Sequence, residues 1–242
     1  MAGLPCTCPV NLLAFDTSTE TMSIALGWDE GGQPRVLRVQ EPGGAKASAG
    51  LIPAVQSLLS QAGLSLGELD AIVFGRGPGS FTGLRTACAV AQGLAFGADI
   101  PVLPVDTLMA VAEEARVVAG AERVVALLDA RMDEVYWAGY AFDGSAWRRE
   151  GGYCLGAPES VQPAPGWALA GNVFAAYGDR IAPDAARIEA LPTAGALLRL
   201  APALLAAGHA LPAAGALPLY IRDKVAQTTE ERAAQRAAAA AP

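Results

Sequence analysis

The amino-acid sequence predicts an α/β protein made of two similar units, each built on a mixed β-sheet flanked by helices. Two features of the strand pattern predict this class: three successive strands precede strands that alternate with helices, and the start of this pattern occurs twice. The composition agrees, because 52% of the 242 residues are hydrophobic and 17% are charged. Such a chain can bury one large core or two modest ones, which excludes disorder throughout.

Three strands open the first unit. Residues 11–15 form an apolar run that ends at Asp16, and residues 22–28 alternate apolar and polar side chains after a short polar turn. Residues 36–39 supply a third strand after a turn that contains two glycines. Short turns of this kind join antiparallel neighbours, so we expect a three-stranded meander.

Helices and further strands complete the first unit. Apolar residues recur every three or four positions from Leu51 to Ala62, which predicts an amphipathic helix that Ser48 caps and Gly63 ends. The elements that follow are a strand at 71–75, a helix at 82–97, a strand at 101–105 and a helix at 108–119, capped by Asp106 or Thr107. This order favours a mixed sheet with right-handed parallel crossovers, the ribonuclease-H-like arrangement.

A second copy of the pattern begins near residue 124. An apolar run ends at Asp129 as the first ended at Asp16, an offset of 113 residues (129 − 16), and an alternating strand follows in both copies. The remaining predicted elements are strands at 135–142 and 147–154, short strands and helices at 168–189, and a helix at 194–207. We therefore expect domains at 1–108 and 109–226, and a flexible tail at 227–242.

A glycine-rich loop at residues 75–85 lies between a predicted strand and a predicted helix. Its glycines let backbone N–H groups converge, and the helix that follows adds partial positive charge. The loop is either a structural turn or a contact for an anion or nucleotide, although it matches none of the established phosphate-binding or nucleophile motifs. The residues of this candidate anion loop are Arg76, Gly77, Gly79, Ser80, Thr82 and Arg85.

Ser80 is also a position where a hydrolase nucleophile could lie. A serine nucleophile needs a base to accept its proton. The one histidine, His209, belongs to an apolar segment of the other unit, and the only lysines are Lys46 and Lys224. The sequence therefore disfavours serine hydrolysis.

Asp16 and Asp129 end corresponding strands of the two units. In duplicated folds of this type such carboxylates face one another across a cleft, where they can hold Mg²⁺ or position water near a phosphate. The alternative, which we favour, is that each carboxylate caps its own turn by accepting backbone N–H bonds.

Several classes of function are disfavoured by composition. A net charge of −7 argues against a free-standing nucleic-acid binder. Cys6, Cys8, Cys88 and Cys154 with one histidine give no convincing zinc set, so we interpret them as buried or incidental thiols and expect no metal site. The sequence shows no apolar span of about 20 residues and no signal peptide, so we expect a cytoplasmic protein without a membrane segment.

The two helices of the first unit carry more apolar surface than one sheet needs. Gly83, Ala87, Ala91 and Ala95 form a row of small residues that either meets another helix or packs on its own sheet. In the helix that begins near Ser48, apolar residues lie on two adjacent faces. Because one face must cover the sheet, the other is a candidate partner surface.

Four segments together closely resemble the bacterial TsaB (YeaZ) family. They read LLAFDTSTETMSIAL at 12–26, LDAIVFGRGPGSFTGLRTACAVAQGLAFGADIPVLPV at 69–105, VVALLDARMDEVYWAGY at 124–140 and PLYIRDKV at 218–225, and the GRGPGSFTGLR and DARMDEVYW blocks within them are the most specific. The resemblance covers nearly the whole chain. It implies a two-domain actin-like (ASKHA) fold and a role as the dimerisation subunit of the system that makes N6-threonylcarbamoyladenosine at position 37 of tRNA.

The resemblance also implies that this chain is not itself the catalyst. A TsaD-type paralogue would hold the metal and transfer the threonylcarbamoyl group, and a TsaE-type ATPase would join the pair. TsaD-like proteins carry metal-binding histidines on the first long helix of the N-terminal half. The matching stretch here, KASAGL at 46–51, contains none, and Ala47 stands where many TsaB proteins keep a histidine.

The resemblance further implies that the chain docks on the transferase through helices 48–61 and 82–96. It also implies that two copies of the isolated chain can pair through the same surface. The predicted interface residues are Leu51, Ile52, Val55, Leu59, Gly83, Ala87, Val90, Ala91 and Leu94. Contact with tRNA would be indirect, through the partners. The alternatives are a glycoprotease-like or nucleotide hydrolase that uses the cleft, and a regulator that binds ATP or ADP at the shared interface near 76–85.

Overall fold

A computed structural model of the chain describes residues 10–222. The predicted tail at 227–242 and the thiols of Cys6 and Cys8 lie outside the described residues. Within residues 10–222, no helix has both the length and the apolar character needed to cross a membrane.

The first unit is built on a five-stranded sheet with the order β3-β2-β1-β4-β5. Its strands are β1 (Leu12–Asp16), β2 (Thr21–Glu30), β3 (Gln33–Pro42), β4 (Ala71–Gly77) and β5 (Val102–Asp106). β1 is antiparallel to β2 and parallel to β4, so the predicted meander and crossovers are confirmed. β3 is longer than the predicted strand at 36–39, because it pairs along the whole length of β2 even where its side chains are exposed.

Four helices cover the two faces of this sheet. They are α1 (Ala47–Ala62), α2 (Phe81–Ala98), α3 (Thr107–Ala119) and α5 (Ala194–Ala206). Because side chains alternate along a strand, Leu13 and Phe15 of β1 pack beneath α1 and α2, whereas Leu12 and Ala14 pack toward α3 and α5. The helices of the predicted partner surface therefore lie on the opposite face of the sheet from the second unit.

The second unit repeats the topology of the first. Its strands are β6 (Arg123–Arg131), β7 (Glu134–Phe142), β8 (Trp147–Gly156), β9 (Ala168–Gly171) and β10 (Arg187–Glu189), and their order is β10-β9-β6-β7-β8. A meander is again followed by two parallel strands. Only α4 (Phe174–Tyr177), a single turn, stands where the first unit has a long helix. The predicted duplication is confirmed.

Two helix starts differ from the sequence prediction. α1 begins at Ala47 with Lys46 as the preceding cap, so Ser48 lies inside the first turn. Asp106 occupies the cap position of α3, but its side chain bonds to Arg76 and Tyr153 instead of the helix N–H groups. The predicted stop at Gly63 is confirmed, since its φ of 68° ends α1 in the left-handed conformation that glycine tolerates best.

The chain returns to the first unit after α5. Leu211 pairs with Val102 of β5, and residues from both sheets share one core around α3 and α5. The expected boundary at residue 108 therefore separates the two sheets but not the layers that cover them.

Candidate functional site

The outward faces of α1 and α2 form a nearly uncharged surface, which we call the α1–α2 outer surface. α1 contains no charged residue among its 16 and α2 contains only Arg85 among its 18. Large apolar side chains are exposed on it, namely Ile52 (42% exposed), Phe81 (43%) and Phe96 (82%). Charged residues make up 17% of the whole chain, so this surface is depleted of charge in the way that the centres of interfaces are.

Most of the predicted interface residues lie on the inner faces of these helices. The buried ones are Leu51, Val55, Leu59, Gly83, Ala87 and Ala91, and they contact the first sheet and its surrounding core. The structure therefore corrects their assignment to a partner surface. The physical reason is that the sheet must be covered, and small side chains let α2 approach the strands closely. Ile52 is exposed, and Val90 and Leu94 are half-buried at the edge of the outer surface.

A second row of small residues, absent from the sequence prediction, faces outward on α2. It consists of Ala89, Gly93 and Gly97, at four-residue spacing. A Cβ atom added at Gly93 or Gly97 would meet no other atom within 4 Å. The sequence signal for this row was the same spacing that marked the buried row, so periodicity alone left the two indistinguishable.

The glycines of the 75–85 loop make room for the turn between β1 and β2. A Cβ atom at Gly79 would lie 2.6 Å from the Cβ atom of Ser18, and one at Gly83 would overlap the carbonyl oxygen of Thr17. The backbone N–H of Ser80 donates to the Ser18 carbonyl at 2.8 Å, and the Thr17 hydroxyl donates to the Gly83 carbonyl at 2.7 Å. These contacts favour the structural-turn interpretation of the loop.

The polar residues of this loop do not converge on one anion. Arg76 points to Asp106, and its guanidinium Nε lies 2.8 Å from the carboxylate. Gly79 and Ser80 line the cleft between the two units, whereas Thr82 and Arg85 line a separate depression between α1 and α2. Gly77 is buried. The structure thus divides the predicted anion loop among three places.

Asp16 is buried and caps its own turn, as we favoured from the sequence. Its Oδ1 accepts hydrogen bonds from the Ser18 N–H at 2.8 Å and the Ser18 hydroxyl at 2.6 Å. Its Oδ2 lies 3.5 Å from the Thr107 hydroxyl. Burial raises the pKa of Asp16 to about 6, although the bonds from Ser18 act to lower it.

Asp129 caps the corresponding turn of the second unit, but it lines the interunit cleft. Its Oδ1 accepts bonds from the Arg131 N–H and the Tyr177 hydroxyl, each at 2.8 Å, and its Oδ2 pairs with the Arg131 guanidinium at 3.2 Å. Asp16 does not line this cleft, so the two carboxylates do not face each other as metal ligands would. A cation at Asp129 would have to displace contacts that already satisfy both oxygens.

The interunit cleft has a volume of about 270 Å³ and is lined in part by residues 219–222. The Leu219 N–H donates to the Arg76 carbonyl at 2.7 Å, and the Tyr220 ring lies 5.3 Å from that of Phe81. Arg222 crosses to the second unit, where it lies 2.5 Å from Glu134. This segment therefore ties the 75–85 loop to the turn between β6 and β7.

Among residues 10–222, the side chains that line the cleft include no histidine or lysine to act as a base for Ser80. His209 lines a different cavity, between β5 and the end of α5. Cys88 is buried, and burial raises the pKa of its thiol to about 12, whereas Cys154 is half-buried. Within residues 10–222, no group of three or more His, Cys, Asp or Glu side chains is placed to hold a metal ion.

Comparison with known proteins identifies close relatives. The sequence model of the family described as "TsaD: tRNA N6-adenosine threonylcarbamoyltransferase" matches residues 44–237. The chain is 37% identical over 227 residues to the tRNA threonylcarbamoyladenosine biosynthesis protein TsaB of Escherichia coli (strain K12), covering 90% of this chain and 96% of that protein. It is 45% identical over 129 residues to the TsaB protein of Haemophilus influenzae, which is 53% of each chain.

A solved structure shows the same fold. YeaZ from Pseudomonas aeruginosa matches with a TM-score of 0.80 and 42% identity, covering 88% of this chain and 100% of that one. The match agrees with the two mixed sheets and confirms the two-domain actin-like (ASKHA) fold that the sequence resemblance implied. On the extent of these matches, the chain belongs to the TsaB (YeaZ) family.

Proposed function

We propose that this chain is a non-catalytic subunit of the system that makes N6-threonylcarbamoyladenosine in tRNA, and that it binds and activates a TsaD-type transferase. Its relatives in Escherichia coli and Haemophilus influenzae are named as tRNA threonylcarbamoyladenosine biosynthesis proteins. The match to the TsaD family model indicates that the transferase shares this fold, so the pair would join related partners.

The observation that carries the proposal is the nearly uncharged α1–α2 outer surface. Burial of Ile52, Phe81 and Phe96 against a partner would remove apolar surface from water, and the open positions at Gly93 and Gly97 would let a partner helix approach closely. In the absence of the transferase, a second copy of this chain would cover the same surface. A TsaE-type ATPase and tRNA would join through the resulting complex.

The cleft supports the non-catalytic part of the proposal. Both oxygens of Asp129 already have partners, Glu20 pairs with Arg131 at 2.6 Å, and residues 219–222 form part of the cleft wall. The ion pair between Glu20 of the first unit and Arg131 of the second joins the two units across the cleft. We therefore assign group transfer to the TsaD-type partner, and we propose that this chain needs neither metal nor nucleotide of its own.

Substitutions on the outer surface test this function. We expect Ile52→Asp and Phe96→Asp to abolish co-elution with a cognate TsaD-type transferase and to lower tRNA modification by the reconstituted complex at least tenfold, because each places a charge in a desolvated contact. Both side chains are exposed in the single chain, so the unfolding temperature of the variants should match that of the unaltered chain diluted until two copies no longer pair.

Two matched variants complete the experiment. Val118→Asp adds the same charge at an exposed position of α3, on the other face of the sheet, and should leave co-elution intact. Asp129→Asn changes the cleft carboxylate and should leave modification intact. Loss of modification in Asp129→Asn with full activity in Phe96→Asp would contradict the proposal and favour catalysis in the cleft.

A further inference from the structure

A second cavity lies between the two units, away from the cleft and from α1 and α2. It has a volume of about 440 Å³ and is enclosed by the end of β5, the start of α3, the strand β8 and the residues after α5. Four of its lining residues are polar: Arg76, Asp106, Arg149 and His209. No pattern in the sequence links these four residues, which lie far apart in the chain.

Two guanidinium groups share one carboxylate in this cavity. Oδ1 of Asp106 accepts from Arg76, whose Nε and Nη2 lie 2.8 Å and 2.7 Å away. Oδ2 of Asp106 accepts from the Tyr153 hydroxyl and lies 3.5 Å from Nη1 of Arg149. Counting the two arginines and the one aspartate, the group carries a formal charge of +1.

This excess of positive charge is unusual for the molecule. In the other ion-pair groups formed by residues 10–222, carboxylates equal or outnumber arginines. Arg180, for example, pairs with both Asp133 and Glu159. The whole chain has a net charge of −7, so this cavity, with one more arginine than carboxylate, has the opposite sign of charge to the molecule as a whole.

Both arginines are held in place while part of each stays accessible. The side chain of Arg76 is 36% exposed and that of Arg149 is 35% exposed, whereas the Asp106 side chain between them is only 10% exposed. The Arg149 guanidinium lies 4.0 Å from the centre of the Tyr153 ring, and its Nε donates to the Gly151 carbonyl at 3.1 Å. Burial, together with the bond to Asp106, raises the pKa of Tyr153 to about 12, so its hydroxyl remains a donor. Guanidinium groups fixed in this way bind an anion with little loss of conformational entropy.

A buried hydroxyl close to the same charges lacks a partner. The Tyr140 side chain is fully buried, and its oxygen has no hydrogen-bond partner among the described residues. Its pKa is raised, first by burial and then by Asp106, which places it within electrostatic range of this group. Buried hydroxyls usually bond to protein, water or ligand, so the polar network here is incomplete within the chain itself.

We propose that this cavity binds a small phosphate monoester. The unbalanced guanidinium charge would hold the phosphate oxygens through charge-assisted hydrogen bonds. Pro104, Met109 and Leu211 provide apolar walls for the uncharged part of the ligand. A volume of about 440 Å³ falls within the range of small-molecule sites. The inference does not depend on the proposed function, because no residue of α1 or α2 lines the cavity.

Calorimetric titration of the full chain tests the site with three probes. We expect phenyl phosphate to bind in the millimolar range or tighter, inorganic phosphate to bind more weakly because it lacks the apolar part, and phenol to give no measurable binding. Arg149→Gln should weaken the binding of phenyl phosphate by about tenfold or more, since it removes one charge-assisted partner.

The neighbouring arginine provides the control. Arg148 precedes Arg149 on β8, so its side chain lies on the opposite face of the strand, where it is 77% exposed and pairs with Asp143. Arg148→Gln removes the same charge from the chain and should leave the affinity for phenyl phosphate unchanged.

Amide chemical shifts of the unaltered chain provide a second readout that does not depend on the folding of a variant. Titration with phenyl phosphate should shift the resonances of Gly208 and His209, which line the cavity. The proposal is overturned if phenyl phosphate does not bind, if Arg148→Gln and Arg149→Gln weaken binding equally, or if the shifts occur at Ser80 and Asp129 in the interunit cleft instead.

Discussion

At the scale of single residues, the buried carboxyl group of Asp16 explains the glycines that face it. Asp16, Thr17 and Ser18 turn inward at the end of β1, and the end of β4 and the loop after it pass so close that a Cβ atom at Gly75 or Gly79 would collide with them. The sequence showed the Asp and the glycines but not that they meet. Their contact joins residues about 60 positions apart, which no local pattern contains.

The raised pKa of Asp16 predicts a pH-dependent contribution to stability. Because the pKa of Asp16 in the folded state is about 6, against an ordinary value of 3.8, the native state binds this proton more tightly than the unfolded chain does. That contribution is fully present below about pH 4 and is lost as the pH rises through about 6. We therefore expect the free energy of unfolding of Asp16→Asn to rise, relative to the unaltered chain, by about 3 kcal/mol from well below pH 4 to well above pH 6.

Denaturant unfolding at a series of pH values measures this difference. Asp143→Asn serves as a control in which the stability difference should change with pH in the opposite direction. Hydrogen bonds from Ala146 and Ser145 lower the pKa of Asp143 to about 2. Its contribution is present above the ordinary carboxyl pKa and is lost as the pH falls through about 2. A stability difference between Asp16→Asn and the unaltered chain that does not change with pH would contradict the account.

At the scale of elements, α2 shows where periodicity stops being informative. The sequence predicted this helix within a residue or two of its observed ends, and it contains two rows of small residues. One row, which includes Gly83, Ala87 and Ala91, faces the sheet, and the other, with Gly93 and Gly97, faces outward. Which row is buried depends on how the helix is rotated on the sheet, and that rotation is set by the contact of Gly83 with Thr17.

Paired glycine substitutions in α2 test this rotation. Gly83→Ala should destabilise the chain by about 3 kcal/mol, because the new methyl group would overlap the Thr17 carbonyl in a packed core. Gly93→Ala should stabilise it by about 1 kcal/mol, since the position is open and alanine favours a helix. Thermal unfolding of the two variants gives the comparison, and equal effects would mean that α2 is rotated differently.

At the scale of the whole molecule, the sequence was sufficient for the architecture and insufficient for the site. The order of the strands and the duplication follow from apolar periodicity and turn chemistry, which are local, so both were predictable. Contacts between distant segments determine three features of the site: which faces of α1 and α2 are buried, the separation of Asp16 from the cleft, and the position of residues 219–222. Those contacts appear only when the sheets are assembled.

The same scale connects the fold to its proposed role. α3 lies between the two sheets, with an exposed end at residues 117–119, and α5 packs on the first sheet and on α3, whereas α1 and α2 have one face on the first sheet and one face in water. Within residues 10–222, α1 and α2 are thus a pair of long helices with an unpartnered side, and that side carries almost no charge. A partner of related fold would complete the burial of this pair.

Hydrogen–deuterium exchange of the chain, alone and mixed with its cognate TsaD-type transferase, tests the central claim most directly. We predict that the partner increases amide protection in α1 and α2, relative to the chain diluted until two copies no longer pair, and leaves the buried parts of α3 and α5 unchanged. Added protection at residues 129–142 or 219–222, with none in α1 and α2, would contradict the claim that this chain acts through its α1–α2 outer surface.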